Sequence, residues 1–143
     1  MQNALKILVV EDDFEHLQLT KYILQRNKVP GEVIVVRDGQ EAVDFLFGHN
    51  GSSEPTNPKP NLVLLDLNIP RIDGKEVLRL MKQDSRLKDV PVVIVSSSNR
   101  QEDIAFATQA GASAYISKSG GFEKLNEALA SVHLFAAEFP QVK

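Results

Sequence analysis

The 143-residue sequence contains no cysteine, which excludes a disulfide scaffold, a cysteine nucleophile, thiolate zinc sites and iron–sulfur clusters. It also lacks a basic excess, because 16 lysines and arginines stand against 19 aspartates and glutamates, for a net charge of -3. Nonspecific nucleic-acid binders are usually basic, so this balance argues against nucleic acid as a partner. No apolar run approaches the roughly 20 residues of a transmembrane helix, and no signal peptide is recognisable. We therefore expect a cytoplasmic protein without a membrane segment.

What the sequence does contain is the composition of an ordinary globular domain. Hydrophobic residues make up 43% and charged residues 24% of the chain. These values exclude a wholly disordered chain. The length suits one domain and would be cramped for two, so we expect a single domain over residues 1–143.

Five short apolar runs recur along the chain, and none of them alternates polar with apolar residues. They lie at residues 7–10, 33–36, 62–65, 92–95 and 114–116. Continuous runs rich in β-branched residues are typical of strands that are buried on both faces, as in parallel sheets. The runs therefore predict a five-stranded parallel sheet.

Helical patterns separate these runs and follow the last one. Five strands that alternate with five helices, joined by right-handed crossovers, predict a three-layer α/β sandwich. The final helical pattern has apolar residues at helical spacing, which predicts a buried stripe. The predicted helices cover residues 13–27, 39–47, 74–83, 99–110 and 121–139. The stripe consists of Phe122, Leu125, Leu129, Val132, Ala136 and Phe139.

Polar residues follow four of the five strands, at the edge where open parallel sheets form their ligand sites. In chain order they are Glu11-Asp12-Asp13, Asp66-Leu67-Asn68, Ser96-Ser97-Ser98 and Ser117-Lys118-Ser119. Crowded carboxylates repel one another unless one is protonated or a cation neutralises them. A hard divalent cation such as Mg²⁺ fits, and a lysine and a hydroxyl can hold an added phosphoryl group. The set therefore indicates phosphoryl transfer onto a carboxylate oxygen.

The order of these residues resembles the response-regulator receiver domain over roughly residues 5–135. The stretch LVLLDLNIPRIDG, residues 62–74, is similar to the phosphoacceptor segment of that family. The resemblance implies a doubly wound fold with strand order 2-1-3-4-5 and five flanking helices. The residues that match the family's signature are Glu11, Asp12, Asp66, Ser96 and Lys118.

The resemblance implies a phosphoacceptor and a metal site. Asp66 would accept a phosphoryl group from a histidine kinase. Mg²⁺ would be held by Asp12 directly, by Glu11 through water, by Asp66, and by the backbone carbonyl of Asn68. The third acid of the first cluster, Asp13, is predicted instead to cap the first helix.

The resemblance also implies a switch. Lys118 would pair with the phosphoryl oxygens, and Ser96 would bond the phosphoryl group and shift when it arrives. Tyr115 stands where the family carries its switch aromatic, with a half-buried tyrosine that never switches as the alternative. Ser119 replaces the proline that normally follows the lysine, so a more mobile trans loop is expected there.

Three features resemble one subgroup, the stand-alone regulators paired with bacterial and cyanobacterial phytochrome kinases. They are the Lys118-Ser119 pair, the proline-bearing segment 48–60, and an end soon after the last helix. The segment is expected to be a surface loop, with an insertion of no role as the alternative. The resemblance to this subgroup implies a homodimer that forms through the fourth helix, fifth strand and fifth helix. Leu134 and Phe135, on two sides of the predicted last helix, also suggest a partner or a second copy.

Two alternative functions, a phosphohydrolase and a ligand-free scaffold, fit the sequence less well. A Mg²⁺-dependent phosphohydrolase with an aspartyl nucleophile would need an acid where Asn68 stands, and asparagine cannot act as a general acid. A ligand-free scaffold that binds partners constitutively would not need the five matched residues, so their presence argues against that function. The histidines, His16, His49 and His133, are dispersed and are expected on the surface or at an interface. The favoured hypothesis is a phosphorylation-switched signalling module, a phosphoacceptor rather than an enzyme.

Overall fold

The structure, a computed structural model, describes residues 5–48 and 57–136. Its five strands form one parallel sheet in the order β2-β1-β3-β4-β5, which confirms the predicted topology. Most of the predicted loop 48–60 lies outside the described residues. The strands are β1 (Lys6–Val10), β2 (Glu32–Val36), β3 (Leu62–Leu65), β4 (Val92–Ser96) and β5 (Ala114–Ser117).

Five α-helices connect and follow the strands, as the hydrophobic periodicity predicts. Among the described residues, short 3₁₀ helices also lie at Lys118–Gly120 and Val132–Phe135. None of the helices in the described ranges has the length and apolar character needed to cross a membrane. The α-helices are α1 (Phe14–Arg26), α2 (Gly39–Phe47), α3 (Gly74–Gln83), α4 (Gln101–Ala110) and α5 (Gly121–Leu129).

The prediction of one helix over 121–139 is wrong, because α5 ends at Leu129. Ser131 leaves the helical region, at φ -127° and ψ 28°, and a 3₁₀ turn follows it. Serine competes for backbone hydrogen bonds and β-branched Val132 disfavours a helix, while the turn still buries Val132. Phe122 is exposed rather than part of the buried stripe, and Phe139 lies outside the described residues.

Aspartates begin three of the helices that follow strands. The side chains of Asp13, Asp38 and Asp73 each accept a hydrogen bond from a backbone N–H in the first turn of α1, α2 and α3. Such caps satisfy donors that have no partner inside the helix. The predicted capping role of Asp13 is confirmed.

The sheet is covered on both faces, which explains the continuous apolar runs. Alternate residues of β1, such as Leu8 and Val10, pack with α2, α3 and α4. The intervening residues, such as Ile7 and Val9, pack with α1 and α5. The helices leave the carboxyl ends of β1 and β3 at the centre of one edge, where the polar residues of the sequence collect.

Candidate functional site

Glu11 and Asp66 lie side by side where the two central strands end. Val10 of β1 pairs with Leu65 of β3, so the residues that follow them are neighbours. The backbone N–H of Asp66 donates to the carbonyl of Val10 at 3.2 Å. Both carboxylates are buried, with 4% of Glu11 and 5% of Asp66 exposed. Two buried acids in one place can both be ionised only with a positive charge nearby.

Lys118 supplies that charge from the end of β5. Its Nζ donates to Glu11 Oε1 at 2.7 Å and to Asp66 Oδ2 at 2.8 Å. Burial raises the pKa of Glu11, and the hydrogen bond from Lys118 offsets part of that shift. Burial would lower the pKa of Lys118, but its hydrogen bonds to Asp66 and Glu11 outweigh burial and raise it. Lys118 therefore stays protonated.

One lysine does not balance all the acids at this edge. Carboxylate oxygens of Glu11, Asp12 and Asp66 lie within 4.8 Å of one another. They open into a cavity of about 380 Å³. An all-oxygen, anionic donor set fits a hard divalent cation, so the residues present fit the metal that the sequence implies. The backbone N–H of Asn68 donates to Asp66 Oδ1 at 3.0 Å, which places Asn68 beside the acids.

His16 also lines this cavity, a position that the sequence analysis missed. Its Nδ1 lies 3.9 Å from Glu11 Oε1, and burial lowers its pKa. The available signal was its place in the first turn of α1, directly after the acidic residues. His133 is only partly exposed, and His49 lies outside the described residues.

Gly74 shows why a small residue follows Asp73 at the start of α3. A Cβ atom on Gly74 would lie 2.4 Å from the carbonyl oxygen of Asp66 and 2.6 Å from the Cα of Leu67. Its backbone N–H donates to the carbonyl of Leu67 at 3.1 Å. Helix α3 therefore packs directly on the backbone that carries Asp66, which fixes where that carboxylate stands.

The two predicted switch residues both contact Ser98. Ser96 is fully buried, and its Oγ accepts a hydrogen bond from the N–H of Ser98 at 3.2 Å. The hydroxyl of Tyr115, which is half-buried, donates to the carbonyl of Ser98 at 2.8 Å. Ser97 lines the acidic cavity. The structure thus brings Ser96 and Tyr115 to one connecting segment.

Ser119 shapes the segment that carries Lys118. The Oγ of Ser117 accepts from the N–H of Ser119 at 3.2 Å and lies 2.7 Å from its hydroxyl. This cap begins the 3₁₀ turn Lys118–Gly120. The predicted trans geometry is present, since the described residues contain no cis peptide bond. Without the proline, Lys118 still reaches both acids.

An acid pocket, a lysine bridging two of its members and this strand order are the arrangement that receiver domains share. The response regulator receiver domain family matches residues 7–130. The chain belongs to this family. Receiver domains are phosphoacceptors that use a divalent metal, and they are generally not enzymes in the usual sense.

Its curated relatives include response regulator Rcp1 of Synechocystis sp., which is 36% identical over 132 residues, 92% of this chain and 88% of Rcp1. The probable methanogenesis regulatory protein FilR2 of Methanothrix harundinacea is 34% identical over 126 residues, 88% of this chain and 79% of FilR2.

Solved structures agree with the sequence relatives. The phosphorylated cyanobacterial phytochrome response regulator RcpA matches with a TM-score of 0.82 and 34% identity, covering 97% of this chain and 98% of RcpA. The Mn²⁺-bound form of Rcp1 matches with a TM-score of 0.81 and 33% identity, covering 96% of this chain and 98% of that one. The receiver domain is therefore similar to the phytochrome response regulators, as the sequence predicts.

Proposed function

We propose that this receiver domain accepts a phosphoryl group on Asp66 from the phosphohistidine of a histidine kinase. The observation that carries the proposal is the buried Asp66–Lys118–Glu11 cluster at the bottom of an acid-lined cavity. A carboxylate with a shared ammonium on one side and open space on the other can act as a nucleophile toward phosphorus.

Phosphoryl transfer forms one bond to phosphorus and breaks another. An oxygen of Asp66 forms a bond to phosphorus, the P–N bond of the donor breaks, and the imidazole nitrogen keeps its electron pair. Asn68 holds Oδ1 through its N–H, so the carboxylate is oriented before the donor arrives. Lys118, now on Oδ2, turns toward the phosphoryl oxygens and balances their charge.

The metal proposed for the site is Mg²⁺. Glu11, Asp12, Asp66 and the backbone carbonyl of Asn68 would hold it, and it supplies positive charge that lets anionic donor and acceptor approach. Self-catalysed dephosphorylation is a second displacement, with water as the nucleophile. A P–O bond to water forms, the bond between phosphorus and Asp66 breaks to restore the carboxylate, and inorganic phosphate and a proton leave.

Intact-mass spectrometry tests this function directly. Incubation with phosphoramidate and Mg²⁺ should add about 80 Da to the wild-type chain and nothing to Asp66→Asn. Asp89→Asn, which alters an exposed acid in the connection before β4, is the matched control and should gain the mass. An unchanged wild-type mass, or a gain in Asp66→Asn, contradicts the proposal.

Two of the solved relatives support a phytochrome-type partner. RcpA is described as a cyanobacterial phytochrome response regulator. RtBRR is described as a bacteriophytochrome response regulator, and it matches with 33% identity and a TM-score of 0.78 over 99% of this chain and 82% of RtBRR. We propose a phytochrome-type histidine kinase as the donor. Transfer from such a kinase, but not from an unrelated one, would support this pairing.

We also propose a homodimer through α4, β5 and α5. A groove of about 430 Å³ on this side is lined by residues such as Tyr115 and Lys124. Leu134 is 75% exposed in the 3₁₀ helix after α5, beside exposed Phe135. Sedimentation at increasing concentration should show dimers, and a monomer throughout would contradict this. The single domain, the cytoplasmic location and the absence of nucleic-acid binding stay predictions.

A further inference from the structure

Ser98 connects the phosphoacceptor site to α4 through three hydrogen bonds. Its N–H donates to Ser96 Oγ, and its carbonyl accepts from the Tyr115 hydroxyl. Its own Oγ donates to Asp103 Oδ2 at 2.5 Å. The Ser96 hydroxyl, which is proposed to bind the phosphoryl group, is therefore hydrogen-bonded to Ser98, and α4 holds Ser98 in place.

Asp103 is in turn fixed by cations from two directions. It is 5% exposed in α4, and its Oδ1 lies 2.6 Å from the Nζ of Lys75 in α3. The Nε of Arg100 lies 3.4 Å from Oδ2. The ammonium of Lys75 also lies 5.4 Å from the ring centroid of Phe106. The hydrogen bonds from Lys75 and Ser98 lower the pKa of Asp103 to about 2, so it is charged at neutral pH.

We propose that Lys75, Asp103 and Ser98 form a latch that holds Ser96 in its hydrogen bond with the Ser98 N–H and so limits how readily the domain is phosphorylated. The inference rests on the proposed function of Asp66. Lys75 and Asp103 are positioning residues, because they act on Ser96 only through Ser98.

The physical reason is the geometry of Ser98. If the Oγ of Ser96 moves to bond a phosphoryl group on Asp66, it either leaves the N–H of Ser98 or draws Ser98 with it. Moving Ser98 breaks its short bond to Asp103, which the ion pair to α3 resists. A contact made only in the resting conformation adds its free energy to the cost of switching. Weakening the latch therefore favours the conformation that receives the phosphoryl group.

The rate of phosphorylation by phosphoramidate with saturating Mg²⁺, followed by intact mass, tests the latch. Lys75→Met and Asp103→Asn should each react about three- to tenfold faster than wild type. Lys75→Arg, which keeps the positive charge, should react at close to the wild-type rate. The double variant should be no faster than the faster single variant, because both changes remove one interaction.

A matched control separates the latch from general loosening of α3. Arg79→Met removes the exposed pair with Glu76 on the same helix and should leave the rate unchanged. A second measurement does not depend on phosphorylation: the Ser98 amide should exchange its hydrogen faster in Lys75→Met than in wild type.

The outcomes distinguish this inference from the proposed function. If wild type gains no phosphoryl group, the proposed function fails, and hydrogen exchange of the Ser98 amide in Lys75→Met still tests the latch. If wild type is phosphorylated but Lys75→Met and Asp103→Asn react at the wild-type rate or more slowly, the latch is overturned. Unchanged exchange at Ser98 overturns it as well.

Discussion

Asp66 and Asp103 are two buried aspartates, equally exposed at 5%, and each forms an ion pair with a lysine of another element. Their charge balance differs. Lys118 divides its ammonium between Asp66 and Glu11, whereas the ammonium of Lys75 pairs with Asp103. Burial and a lysine partner are therefore not enough to identify a reactive carboxylate.

The surroundings of the two aspartates decide what each can do. Near Asp66, three carboxylates have one ammonium among them and line an open cavity, which leaves negative charge for a cation to neutralise. Asp103 instead has an arginine, a lysine and a hydroxyl, so its charge is satisfied within the fold. The first arrangement suits chemistry, and the second suits an anchor between α3 and α4.

The largest expected effect that tests this comparison is the loss of Lys118. Lys118→Met leaves two buried carboxylates without their counter-charge, which should cost about 3–5 kcal/mol of unfolding free energy at pH 7. Urea unfolding measures it. Added Mg²⁺ should recover part of the loss, because a cation replaces the missing charge. A loss no greater than that of an exposed lysine such as Lys21→Met would refute the shared-charge account.

The same variant has a defined pH dependence. Without Lys118, only the hydrogen bond from the Asp13 N–H offsets the effect of burial, which raises the pKa of Glu11 above its unfolded value. A carboxyl with a raised folded pKa destabilises the fold while it is ionised, so stability increases as pH falls through that pKa. The deficit of Lys118→Met should therefore shrink between pH 7 and pH 5, as followed by urea midpoints. A deficit that grows over this range would contradict it.

The two aspartates also show how far the sequence predicts this molecule. Asp66 follows a continuous apolar run inside a recognisable segment, so the strand pattern places it at the sheet edge with Glu11 and Lys118. Asp103 has no such signal, because its partners come from another helix and from a strand–helix connection. Only the packing of α3 against α4 brings Lys75 to it.

The missed features have the same origin. The end of α5 depends on a competition between helical hydrogen bonds and the local preferences of Ser131 and Val132. His16 enters the site because the Asp13 cap sets where α1 begins. Local patterns predict which elements form, while contacts between elements decide which side chains meet.

A smaller effect is expected on the Asp103 side. Lys75→Met should cost about 1–2 kcal/mol, because the ammonium is partly exposed, at 35%, and Asp103 keeps Ser98 and Arg100. Urea unfolding beside Lys118→Met gives the comparison, with Arg79→Met as the exposed-pair control. If Lys75→Met loses as much unfolding free energy as Lys118→Met, then Ser98 and Arg100 do not compensate the charge of Asp103 once Lys75 is removed.

The smallest expected effect is the pH dependence of the stability that Asp103 contributes. Its sign is opposite to that of Glu11 in Lys118→Met. The folded pKa of Asp103 is about 2, below the ordinary value, because Lys75 and Ser98 donate to its carboxylate. A depressed pKa stabilises the fold fully above the unfolded value, near pH 4, and this contribution disappears as pH falls toward the folded one. The difference in urea midpoint between wild type and Asp103→Asn should therefore narrow from pH 5 to pH 3. Asp89→Asn, at an exposed acid, should show no such narrowing, and a constant difference for Asp103→Asn would mean that its charge does not stabilise the anchor.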